Sequence, residues 1–186
     1  MKRNKFLVSL VAFYPIAGLA KIKNFIRRVD KGFKVEGGDA RFGDHFKMKA
    51  VTTNLLDLKI SGKDTDGDLA IFEQTGLSPK GGPPLHIHPH QDEMFYAMEG
   101  EYRFQVGDDK FDMKAGDTIF LPRNVPHAFV QLTERGKMMV IFQPAGRMEE
   151  FFRQTSTWTS TPTHAEILKL FEDCDMKVVG PPLKAD

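Results

Sequence analysis

The sequence predicts an all-β domain, a sandwich or barrel of short strands, over about residues 44–145. Two observations carry this. Runs of β-favouring residues recur at short spacing: "EMFYAM", "EYRFQV", "FDMKAGDTIFLP", "HAFVQL" and "KMMVIFQP". Turn signals ("EG", "GDDK", "AGD", "RNVP") separate or interrupt them, and strands of four to eight residues at this spacing belong to sandwiches and barrels. The size agrees: 186 residues, 41% hydrophobic and 27% charged, are enough for one domain with a sizeable core.

The chain divides into four stretches. Residues 1–20 begin with Lys2, Arg3 and Lys5 and continue as an apolar run from Phe6 to Ala20. That is the shape of a secretory signal peptide, with an N-terminal helix packed on the barrel or on a second subunit as the alternative. Pro15 interrupts the run, which is short for a membrane span. Export or a periplasmic location is therefore expected slightly ahead of the cytoplasm. Residues 21–43 are basic and then Gly-rich, and read as a linker or arm.

Within the barrel region, "FKMKAVTTNLLDLKI" reads equally as strand pieces or as a helix. "SGKDTDGD" is a turn, and "LAIFEQTGL" a strand. "VGDDKF" marks a hairpin, since Gly and Asp suit positive φ. After Pro144 the period changes. Over residues 146–186, "RMEEFFRQTS" and "TPTHAEILKLFEDC" read as helices, and Thr163 with Glu166 has the spacing of a capping box. Ile167, Leu168, Leu170 and Phe171 make an apolar face. "VVGPPL" reads as an extended tail.

Net charge is +1, so nothing argues for nucleic acid as a partner. The single cysteine, Cys174, excludes an internal disulfide. Sixteen Phe against three Tyr and one Trp predict a Phe-rich interior.

The stretch "GGPPLHIHPHQDEMFYAMEG" concentrates imidazoles and carboxylates. In a strand, alternate side chains share a face, so His86 and His88 point one way and Leu85 and Ile87 the other. Two imidazoles aimed into a barrel need a partner, because unpaired polar groups there are costly. A divalent metal is such a partner. Glu93, across the short turn "PHQD", returns a carboxylate to the same place. The best fourth ligand is His127, which opens a strand after Pro122, Asn124 and Pro126. His90 is placed at the rim or in solvent, because Pro89 disturbs the alternation. Asp92 is expected in solvent.

These residues resemble the cupins, small double-stranded β-helix (jelly-roll) proteins. The first cupin motif is matched by His86, His88, Glu93 and Gly100, with Gly81 one residue closer to His86 than the pattern asks. The second is matched by Gly116, Pro122 and His127. Asn124 stands where a glycine is usual and Gln131 where an asparagine is usual. Asn tolerates the left-handed conformation better than most residues. The resemblance covers roughly Leu69 to Pro144, and single-domain quercetin dioxygenase-like cupins look most similar.

The resemblance implies a double-stranded β-helix barrel and one divalent transition metal held by His86, His88, Glu93 and His127. The donor set does not choose among Fe, Mn, Ni, Co, Cu and Zn, although the lack of thiolate excludes soft-metal selection. It implies oxygenative cleavage of an enolic or phenolic, flavonol-like molecule, with Glu93 as the catalytic base. A Lewis-acid isomerase and a non-catalytic metal or ligand-binding module are the alternatives. Alternation from Glu93 and His127 turns Phe95, Ala97, Phe129 and Gln131 inward and Met94, Tyr96 and Met98 outward. Phe104, Phe120 and Phe142 are expected to add to the interior. Phe95, Phe104, Phe129 and Gln131 are the candidate substrate pocket. The expected partners are a small, aromatic molecule and, as an assembly, a homodimer.

Overall fold

The computed structural model describes residues 28–49 and 51–185. The expected signal or helix over 1–20 lies outside the described residues. Among the described residues, eleven strands and two α-helices follow in order. The strands are β1 (His45–Lys47), β2 (Leu55–Ile60), β3 (Ala70–Gly76), β4 (Pro84–Ile87), β5 (Asp92–Glu99), β6 (Glu101–Val106), β7 (Asp109–Lys114), β8 (Thr118–Leu121), β9 (His127–Gln131), β10 (Gly136–Gln143) and β11 (Lys177–Pro182). The helices are α1 (Met148–Thr157) and α2 (His164–Asp173).

All strand pairings are antiparallel, in two sheets. One has the order β1-β2-β3-β10-β5-β8, the other β11-β4-β9-β6-β7. Hydrophobic alternation sets which face of each strand turns inward. Along β10, Gly136, Met138, Val140 and Phe142 are buried while Lys137, Met139 and Ile141 are not. On β5, Glu93, Phe95 and Ala97 point in, and Tyr96 and Met98 are exposed. The interior is the Phe-rich core that the composition predicts, built around Phe72, Phe95, Phe104, Phe129 and Phe142. The β6–β7 hairpin turns at Gly107 (φ 60), as "VGDDKF" implies.

Several expectations change. The ambiguous stretch is two strands, β1 and β2, because Leu56 and Leu58 bury on one side against β3. Phe120 is 54% exposed: β8 pairs Phe120 with Met94, whose side chain also leaves the core. Leu168 is exposed, because only Leu170 and Phe171 of α2 reach the barrel fully. "VVGPPL" is no free tail. It forms β11, which joins the second sheet beside β4. The C-terminal extension is therefore part strand as well as helix. The Thr163–Glu166 capping box is present.

Two close approaches explain residue choices in the motifs. A side chain at Gly82 would collide with the Phe129 carbonyl, so the tight glycine requirement next to the histidines falls at Gly82. Asn124 has φ 64 and donates its backbone N–H to the His88 carbonyl at 3.0 Å. The turn needs a left-handed residue there, and Asn supplies it at lower cost than most.

Candidate metal centre

Four side chains meet at the inner face of the barrel. His86 lies on β4 and His88 just beyond it; Glu93 lies on β5 and His127 on β9. Register brings His86 directly opposite His127. All four are buried, and one ligand atom from each lies within 4.8 Å of the other three. Glu93 Oε2 is 3.1 Å from His127 Nε2 and 3.7 Å from His88 Nε2.

The hydrogen bonds of the imidazoles settle what these atoms offer. The Nδ1 of His86 lies 2.8 Å from the Pro84 carbonyl, and that of His127 lies 3.0 Å from the Val125 carbonyl. A carbonyl only accepts, so each Nδ1 carries the proton and donates. His88 Nδ1 lies 3.1 Å from Gln91 Oε1. Gln91 is oriented in turn, because its amide N–H₂ donates to the Pro144 and Ala145 carbonyls at 3.0 and 2.9 Å. Its oxygen must therefore face His88. With every Nδ1 protonated, a neutral ring presents Nε2 as a lone pair. The Nε2 atoms of His88 and His127 are buried without a hydrogen-bond partner. Leaving such groups unpaired is costly, and a divalent cation satisfies them together.

Charge considerations agree. Burial holds the His86 imidazolium well below its ordinary 6.5, and the neighbouring His127 and His88 push it further the same way. Burial also lowers His88, against the pull of Glu93. Neutral rings are the form that binds metal. Three imidazole nitrogens and one carboxylate, their free ring nitrogens hydrogen-bonded, fit a mononuclear divalent site.

The site opens onto a cavity of about 60 Å³ with an apolar lining. Phe95 and Phe129 of the candidate pocket line it. Phe104 stands behind them, its ring 5.1 Å from Phe95 and 5.3 Å from Phe129. Gln131 lies off the cavity, packed beneath Gly76 and Gly136 with its amide donating to the Thr133 carbonyl. His90 is exposed. Asp92 is ion-paired with Arg123 rather than free in solvent. Sequence reasoning did not single out Gln91, and it did not place Phe151, Phe171 and Met176 at the cavity. The only linear hint of Gln91 is a lone amide inside the turn between His88 and Glu93.

Comparison with known proteins gives the same family. The model described as "Cupin domain" matches residues 74–142, a stretch that holds all four side chains. Residues 74–142 are a cupin domain. The chain is 30% identical over 92 residues to quercetin 2,3-dioxygenase of Bacillus subtilis, covering 49% of this chain and 26% of that one. It is 40% identical over 43 residues to an uncharacterized protein of Methanocaldococcus jannaschii, covering 23% of this chain and 34% of the other. The chain thus spans about a quarter to a third of the length of these relatives. Among solved structures, an RmlC-like cupin from Shewanella frigidimarina is similar with a TM-score of 0.51 and 19% identity, covering 62% of this chain and 93% of that one. KdgF from Halomonas sp. has a TM-score of 0.51 and 16% identity, covering 61% and 94%. At these identities the likeness is one of fold.

Proposed function

We propose that this cupin is a mononuclear-metal dioxygenase acting on an enolic or phenolic small molecule. The observation that carries the reading is the convergence of three imidazoles and one carboxylate on a buried, apolar-walled cavity. When bound, a redox-capable divalent ion supplies the means to polarise an enol oxygen and to bring dioxygen to it. The likeness to a quercetin 2,3-dioxygenase across 49% of this chain supports the same reaction class.

The chain's own residues have distinct tasks. His86, His88 and His127 offer Nε2, each ring held in one tautomer by its Nδ1 bond. Glu93 lines the cavity, where its carboxylate accepts the proton of an enol hydroxyl. Phe95, Phe129, Phe142 and Val140 exclude water from that exchange.

The deciding experiment measures oxygen uptake and product formation with enolic substrates, on protein loaded in turn with Fe, Mn, Ni and Co. Uptake matched to product supports the dioxygenase. Product formed equally without oxygen assigns a Lewis-acid isomerase instead. Saturable ligand binding with neither outcome assigns a binding module.

A further inference from the structure

The cavity is smaller than the molecules that the oxygenase reading brings to mind. A cavity of about 150 Å³ takes one benzene ring, and drug-sized ligands occupy about 300–1,000 Å³. This one measures about 60 Å³. Its small size comes from a wall outside the barrel's two cupin motifs. Phe171 on α2 sets its ring edge against His86, centroids 5.4 Å apart. Phe151 on α1 backs Phe171 at 5.0 Å, nearly perpendicular. Met176, in the turn after α2, completes the wall and is 2% exposed.

This wall is tied to the metal-binding strand itself. β11 begins immediately after Met176 and pairs with β4, placing Val178 directly opposite His86. The Met176 N–H donates to the Phe171 carbonyl at 2.8 Å, closing the turn between helix and strand. At the other end, the Thr163 capping box holds the start of α2. Displacing Phe171 would require breaking ring contacts and strand pairing together. It is a fixed boundary.

We infer that Phe171 sets the size limit of the site, so that its ligand is an acyclic oxygen chelator smaller than an aromatic ring. This rests on the metal-centre reading above and narrows its substrate from phenols and flavonols to small enolisable carbonyl compounds. In these, two oxygens reach the metal and the carbon skeleton ends before the Phe171 ring.

The test keeps the chelating head constant and varies only the tail. Acetohydroxamate, benzohydroxamate and 2-naphthohydroxamate are titrated into the cobalt-loaded full-length protein without oxygen, and the visible cobalt spectrum reports binding. Acetohydroxamate should bind at least tenfold more tightly than either aromatic probe. In Phe171→Ala, and in the milder Phe171→Leu should the first variant fold poorly, the aromatic probes should gain tenfold or more relative to acetohydroxamate. Equal binding of all three by the unmutated protein overturns the inference. So does an unchanged size order in a folded, cobalt-loaded variant, and so does failure of acetohydroxamate to bind. Absence of oxygen uptake would remove the dioxygenase reading and leave the size order standing.

Discussion

Glu93 Oε2 and His127 Nε2 lie 3.1 Å apart without a hydrogen bond between them. His127 has its proton on Nδ1, committed to the Val125 carbonyl. Two lone-pair-bearing atoms this close repel unless a positive charge joins them. A second proton on His127 would do so for this pair, but His88 Nε2 is also unpaired, 3.7 Å from the same carboxylate oxygen. One divalent cation answers all of these at once.

Glu93→Gln separates charge from shape. The variant keeps a carbonyl oxygen and loses basicity, so bound metal should fall less than in His86→Ala. Rate per bound metal should drop about 10²–10⁴-fold, the usual worth of a positioned base. Elemental analysis beside oxygen uptake measures both, and a near-normal rate per metal would show that Glu93 is not the base.

Gln91→Leu removes the acceptor that holds His88 in its tautomer and leaves two carbonyls without their donor. Loss of such an outer partner costs about 10–100-fold in metal affinity. Competition with a chromophoric chelator gives the dissociation constant. Affinity within a factor of two of the unmutated protein would sink this role.

Asn124→Gly should leave stability nearly unchanged, whereas Asn124→Val should cost about 1–2 kcal/mol, the penalty of a β-branched residue at φ 64. Denaturant unfolding of the two variants distinguishes backbone conformation from any contact of the Asn side chain, which would make the glycine variant costly too.

Asp64 joins the N-terminal arm to the β2–β3 turn. It accepts from the Arg41 guanidinium at 2.7 Å and from the Ser61 N–H at 3.0 Å, and it is 3% exposed. The Arg41 hydrogen bond, helped by that of Ser61, holds its carboxyl below the ordinary 3.8. The folded state therefore binds this proton more weakly than the unfolded state. Its stabilisation is whole above pH 3.8 and is lost as pH falls through the lowered folded value. Asp64→Asn should cost about 1.5–3 kcal/mol at pH 7, with the gap closing from pH 3.8 downward. Melting curves across that range test it; a gap independent of pH would assign the loss to packing.

Export remains a proposal drawn from residues 1–20. Mature protein from the native host's secreted or periplasmic fraction should begin near Lys21, as intact mass spectrometry would show. A full-length mass in the cytosol would favour the packed helix.

What the sequence by itself determined is whatever depends on local spacing. Alternation along a strand turns His86 and His88 to one side, and Glu93, Phe95 and Ala97 to one side of the next. Turn chemistry marked Gly107 and Asn124, and the cap marked the start of α2. The same spacing could not see Phe120, whose side depends on β8 pairing with an outward Met94. Nor could it see that "VVGPPL" would find β4, because strand pairing between distant segments is set by which edge is left open. Gln91 needed the Pro144 and Ala145 carbonyls to orient it. The size of the cavity needed α2 and β11 folded back over His86. Local pattern names the groups that can bind a metal; long-range packing alone decides how much room remains beside it.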